Sequence, residues 1–135
     1  MNPIADILRA ARTIAVVGLS GKRFRPSYGV TEYMQRAGYH IIPVNPYETQ
    51  ILGERCYPSL DSIPPEMEID IVDIFRRSEF VPDIVEAAIR KRAKAIWMQE
   101  GVAHEPAARR ATEAGLLVLM DRCILKDHRR LAHAS

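Results

Sequence analysis

Five short apolar runs, Ile14–Val17, Tyr39–Val44, Ile69–Phe75, Ala95–Met98 and Leu116–Leu119, recur along the chain, separated by enough residues for a helix or a long crossover. Helical segments fit between them: Tyr28–Ala37 ending at Gly38, Val81–Arg92, and Glu105–Ala114 ending at Gly115. Glycine at those exits suits the left-handed position that follows a helix. Ala5–Ala11 reads as a short leading helix, and Ser78, followed by an acid and then Pro82, as a helix start. Strands alternating with helices imply βαβ units, so the expected fold is α/β: a doubly wound, mostly parallel five-stranded sheet flanked by helices. Ile51–Tyr57 reads as a short strand or turn and the proline-rich Pro58–Pro65 as a surface connection. Right-handed crossovers place all strand C-termini on one edge, where ligands of such sheets sit at the point where strand order reverses.

At 135 residues and 47% hydrophobic content, the chain can bury about two-thirds of its unfolded surface, enough for one core. A single domain over residues 1–135 is therefore expected, with no repeat, low-complexity tract or linker. No apolar run approaches the roughly 20 residues of a membrane span, and Met1-Asn2-Pro3 begins no signal peptide. These readings predict a soluble, cytoplasmic protein with no membrane partner. Nineteen cations against 17 anions give no broad basic surface for nucleic acid. Cys56 and Cys123 are too few and too far apart for a disulfide framework or a four-ligand zinc site.

The most informative segment is Thr13–Val30, TIAVVGLSGKRFRPSYGV: a strand, a turn at Gly18, a loop carrying Lys22, Arg23 and Arg25, then a helix start. Free backbone N–H groups and the positive end of the helix dipole converge there, which favours a phosphate. Ser20, Ser27 and Tyr28 add hydroxyls, and Gly18 lets the backbone approach closely. The alternative is a basic loop that only connects strand to helix. The dinucleotide fingerprint G-x-G-x-x-G is incomplete, because Leu19 and Ser20 follow Gly18. The second strand, ending Ile42-Pro43-Val44-Asn45-Pro46, also lacks the terminal acid that bonds the ribose of NAD. An uncharged end fits a ribose bearing its own phosphate.

Other strand ends carry weaker signals. Pro43 and Pro46 stiffen their loop, while Asn45 either contacts ligand or bonds its own turn. Phe75 either lies against an adenine or an extended arm or belongs to the core, and Arg76 contacts phosphate. Asp73, a lone carboxylate, reads as a structural hydrogen-bonder rather than a base. Gln99 and Glu100 could position an amide or thioester, although the helix start at Glu105-Pro106 accounts for the acids there. Trp97 reads as core and His104 as a surface residue. Cys123, beside Arg122, is either a reactive thiol or a small buried filler. His128, Arg129 and Arg130 read as a solvated tail. No Ser/His/Asp order, Walker motif, C-x-x-C or H-E-x-x-H is present, so no catalytic or metal-binding residue is assigned.

The ordered set Ala15-Val16-Val17-Gly18-Leu19-Ser20, Arg25-Pro26-Ser27-Tyr28-Gly29-Val30, Ile42-Pro43-Val44-Asn45-Pro46, Tyr57-Pro58-Ser59-Leu60, Val72-Asp73-Ile74-Phe75-Arg76-Arg77, Trp97-Met98-Gln99 and Asp121-Arg122-Cys123 resembles the stand-alone bacterial and archaeal CoA-binding proteins. These are similar to the N-terminal CoA-binding domain of the succinyl-CoA synthetase α-subunit. The resemblance spans about Ile4 to Leu131 and implies a Rossmann-like domain that binds coenzyme A or an acyl-CoA. It implies Gly18, Ser20, Arg25, Ser27, Tyr28 and Gly29 as the phosphate loop, and Pro43, Asn45, Phe75 and Arg76 as the nucleotide contacts. Leu19, Lys22 and Gln99 complete the candidate ligand-binding set, and the CoA 3′-phosphate is expected at Lys22, Arg23 or Arg25. Glu100 departs from the family pattern, which places an apolar residue before the glycine. The synthetase's phosphorylated histidine lies in a domain this chain lacks, so the resemblance implies binding without a reaction. Three functions compete: a CoA-binding module without chemistry, an NADP-dependent or acyl-CoA-transforming enzyme, and a CoA-binding subunit of a larger complex, any of them possible as a homo-oligomer.

Overall fold

In a computed structural model, which describes residues 2–133, five parallel strands form one sheet: β1 (Thr13–Val17), β2 (His40–Val44), β5 (Ile71–Ile74), β6 (Ala95–Met98) and β7 (Leu117–Leu119). Their order is β2-β1-β5-β6-β7. The chain steps from β1 outward to β2, then returns across β1 to β5, so strand order reverses between β1 and β5. A short antiparallel hairpin, β3 (Gln50–Ile51) and β4 (Glu54–Arg55), lies in that return crossover.

Side chains alternate between two cores because a strand turns successive residues to opposite faces. Ala15, Val17, Val72, Ile74, Ile96 and Met98 face one cluster, which α3 (Val81–Arg90) and α4 (Glu105–Glu113) cover. Ile14, Val16, Ile71, Ala95 and Trp97 face the other, beneath α1 (Pro3–Ala10), α2 (Pro26–Arg36) and α5 (Ile124–His133). A sheet buried on both faces is what all-parallel strands require. Trp97 is fully buried, with its indole N–H donating to the Arg122 carbonyl at 3.0 Å.

Pro43 sits in β2, an edge strand. Tyr57 runs beside it, donating to the Pro43 carbonyl and accepting from Asn45 N–H, each at 3.0 Å. The N–H that Pro43 lacks would lie on the same outer side as its carbonyl, so the proline costs the β1–β2 ladder no hydrogen bond. No helix among the described residues is long and apolar enough to cross a membrane.

Three expectations are corrected. His128, Arg129 and Arg130 are no tail: they belong to α5, where His128 Nδ1 meets the Tyr33 hydroxyl at 2.9 Å and Arg130 pairs with Asp127. Ile124 and Leu131 of this helix pack on the second core, and that packing overrides the charge-rich sequence. His104 is the N-cap of α4, its Nδ1 accepting from Ala107 N–H at 3.1 Å. Ser78 opens a 3-10 turn, Ser78–Phe80, that leads into α3, and its hydroxyl accepts from Ala103 N–H across the sheet edge.

At the opposite edge, Asp70 ties the strands together. Its Oδ2 accepts from the N–H groups of Arg12 and Thr13 at 2.8 and 3.0 Å, and its Oδ1 pairs with Lys94 at 3.1 Å. Burial pushes this carboxyl up, but the two backbone donors and Lys94 outweigh it and hold the group below its ordinary range. Asp70→Ala should therefore destabilise the fold by about 1–2 kcal/mol for each orphaned N–H, read by urea unfolding at pH 7. Because the folded carboxyl titrates lower than the unfolded one, the loss should shrink as pH falls below about 4. A pH-independent difference would refute the carboxylate's role.

Candidate functional site

Gly18 ends β1 at the reversal point with φ +86°, and a Cβ there would lie 2.6 Å from the Phe75 carbonyl oxygen and 2.9 Å from Arg76 Cδ. Both the backbone angle and the space exclude any side chain. Two clefts open from this spot. The first, about 480 Å³, runs toward β2 and α3; its floor is Val44, Leu60, Ile84 and Ala87, and its rim carries Asn45, Tyr47 and Phe80. The second, about 740 Å³, runs toward the α2 N-terminus and the ends of β5 and β6, past Ser27, Phe75 and Gln99 to Cys123. Gly18 and Arg76 line both.

The loop between β1 and α2 is held by its own side chains. Ser27 Oγ, largely buried, accepts from Ser20 N–H at 3.0 Å, and Ser20 Oγ accepts from Lys22 N–H at 3.0 Å. Asn45 Nδ2 donates to the Leu19 carbonyl at 2.8 Å, while its Oδ1 accepts from Tyr47 N–H at 2.8 Å. Asn45 thus joins the β1 and β2 loops and bonds its own turn.

Helix α2 begins with Pro26 after Arg25, has no side-chain cap and has no acid in its first turn. By contrast, Asn2 caps α1 and His104 caps α4. Pro26 has no N–H and Tyr28 N–H donates to the Arg25 carbonyl at 3.0 Å, so the positive end of the helix dipole is what the uncapped end turns toward the loop. Among the described residues Lys22, Arg23, Arg25 and Arg76 have no acidic partner, whereas Arg77, Arg90, Arg110, Arg122 and Lys126 are ion-paired. Arg76 instead rests over the Phe80 ring at 4.2 Å, free to turn its charge toward a ligand. The combination is an anion cradle between two larger spaces.

A family model described as a CoA binding domain matches residues 12–129. The chain belongs to this family of CoA-binding domains. It is 43% identical over 125 residues to the uncharacterized protein YneT of Bacillus subtilis (strain 168), covering 93% of this chain and 91% of that one. A hypothetical protein from Pyrococcus horikoshii OT3 superposes with a TM-score of 0.91 at 39% identity, over 96% of this chain and 89% of the other. The ADP-forming acetate–CoA ligase II of Archaeoglobus fulgidus is 29% identical over 97 residues, which are 70% of this chain and 14% of the ligase. The Rossmann-like α/β fold is shared with these structural neighbours.

Within this CoA-binding domain, Gly18, Ser20, Lys22, Arg25, Ser27, Phe75, Arg76 and Gln99 are brought together at the second cleft, and Asn45 at the first. Leu19, Tyr28, Gly29 and Pro43 line neither. Leu19 and Pro43 are buried in the core and in β2, Tyr28 packs on the second core, and Gly29 lies within α2. Glu100 is exposed and paired with Lys126 at 2.9 Å. Sequence reasoning missed Tyr47, Leu60, Phe80 and Ile84 as cleft walls. The spacing of Phe80 and Ile84, one helical turn apart, was the available signal.

Asp73 is 1% exposed, and the one hydrogen bond to its carboxyl among the described residues is from Gln99 Nε2 at 2.5 Å. Burial pushes its carboxyl up to about 7, only partly offset by the Gln99 bond. With the folded pKa raised, the group's favourable contribution is complete below about 4 and is lost as pH rises through 7. Asp73→Asn should therefore gain stability over the wild type as pH rises from 5 to 8.5, by on the order of 2 kcal/mol. Urea unfolding curves that stay parallel across that range would contradict the burial argument.

Proposed function

We propose that the protein binds coenzyme A or an acyl-CoA, with the nucleotide in the first cleft, the diphosphate over Gly18 and the α2 N-terminus, and the arm in the second cleft. The observation that carries this reading is that Gly18 and Arg76 line both clefts, which makes one trough with its positive charge in the middle. CoA has that order of parts: an aromatic base, a diphosphate, then a long uncharged arm. β2 ends in Val44 and Asn45 without an acid, so this strand end presents no carboxylate to a ribose carrying a phosphate. Lys22, Arg23 and Arg25, exposed and without an acidic partner among the described residues, lie on the loop between the clefts and supply positive charge for the phosphates. Binding without chemistry of its own fits the site, whose side chains form a cradle, and a cytoplasmic protein is the reading that goes with a CoA ligand.

The acetate–CoA ligase match supports a second reading, a CoA-binding part acting beside a separate catalytic chain. Co-purification of a catalytic subunit from native extract would select it.

Calorimetric titration of ligand-stripped protein with CoA, dephospho-CoA, NAD and NADP tests the first. CoA should bind tightest, and dephospho-CoA more weakly. Tighter binding of NADP would replace this reading with a reductase. Arg76→Ala should weaken CoA by about 1.5–3 kcal/mol, the worth of a charge-assisted hydrogen bond; an unchanged affinity would remove Arg76 from the site.

A further inference from the structure

Gln99 stands just beyond the C-terminal end of β6 and is 4% exposed, yet it forms part of the wall of the second cleft. Its Nε2 donates to Asp73 Oδ1. In its ionised form the Asp73 carboxylate accepts hydrogen bonds and has none to give, so it takes the NH2 end of the carboxamide and turns the carbonyl end away. The Gln99 carbonyl oxygen has no donor among the described residues. Thr31 Oγ1 is the one buried side-chain polar atom without a partner among those residues, so Gln99 Oε1 is not sealed in and reaches the open space of the cleft.

Asp73 has no other side-chain partner among the described residues, and its neighbours on β5, Ile71, Val72 and Ile74, are all apolar and buried. Replacing Asp73 alone by an apolar residue leaves the buried Gln99 NH2 without its acceptor. The one directional effect of Asp73 falls on Gln99.

We propose that Asp73 fixes the Gln99 carboxamide so that its carbonyl faces the second cleft as the acceptor for a secondary-amide N–H on the arm of the bound ligand. This rests on the CoA reading, since the CoA arm carries two secondary amides beyond the diphosphate. Gln99 is the contact and Asp73 a positioning residue. An arm without an amide leaves that carbonyl stripped of water and unpaired, which disfavours it. The second cleft thereby selects for the arm, while the phosphate cradle selects for charge.

The test is calorimetric titration at pH 8 with CoA and with adenosine 3′,5′-bisphosphate, which has the nucleotide end and lacks the arm. Gln99→Leu and Asp73→Leu should each weaken CoA about tenfold and leave the bisphosphate unchanged. The double variant should be no weaker than either single one, as expected for two residues acting through one contact. Asp73→Asn should keep wild-type affinity, because its amide carbonyl still accepts from Gln99; this variant and Gln99→Leu also carry the test should Asp73→Leu fail to fold. Wild-type CoA affinity in Gln99→Leu overturns the inference and leaves the CoA reading standing. So does an Asp73→Asn loss equal to that of Asp73→Leu, or a parallel loss of both ligands. If the wild-type protein binds no CoA, the parent reading falls and the inference with it.

Discussion

The close passage of Gly18 beneath the Phe75 carbonyl governs the rest of this molecule. The two strand ends lie side by side, and a methyl group at Gly18 would stand 2.6 Å from that oxygen. With the backbone at φ +86°, the chain leaves β1, crosses the sheet edge and enters the loop before α2 without a side chain blocking the space. Any other residue would push β1 and β5 apart or lift the loop. The two clefts would then be separate hollows. Because Gly18 has no side chain, the Arg76 stem can lie against it with its guanidinium over the Phe80 ring, and the clefts form one trough with this charge at the centre.

The charge is prepared in advance of any ligand. Arg77 and Arg90, on the walls of the two clefts, pair with Glu79 and Asp61. Among the described residues Lys22, Arg25 and Arg76, which line the second cleft, have no acidic partner, and α2, whose N-terminus points there, has no side-chain cap. An anion answers the unpaired cations and the open helix end at once. Ser27, Ser20 and Asn45 spend their hydrogen bonds holding this loop in shape, so the fixed donors need not reorganise when an anion arrives.

The fold was legible because its signal is local. Ile14–Val17 and Ala95–Met98 are buried on both faces, which writes them into the sequence as unbroken apolar runs. Gly18 and the cations after it marked the anion site for the same reason. What could not be read was set by contacts between distant segments. The first cleft joins Tyr47, Leu60 and Ile84 from three separate stretches, and Pro58–Pro65, read as a surface connection, supplies part of its wall. Leu19, inside the phosphate loop by sequence, points its side chain into the core. The charge-rich α5 hid its packing face, since Ile124 and Leu131 are too few to stand out among six charged or histidine neighbours until α1 and α2 are placed beside them. Asp73 and Gln99, 26 positions apart, meet only once β5 and β6 are in register.

Two aspartates at opposite ends of β5 show how the sheet divides its work. Asp70, before the strand, receives two backbone N–H groups and Lys94, which together outweigh burial and favour its charge. Asp73, near the strand's end, receives one side-chain amide and is pushed up to about 7. The residue type is the same and both are buried; the number of donors decides the sign. At the N-terminal edge a carboxylate fastens β1 to its neighbours, and removing it leaves holes in the hydrogen bonding. At the C-terminal edge burial opposes the charge of Asp73, and the side chain this carboxyl holds among the described residues is Gln99, on the wall of the cleft.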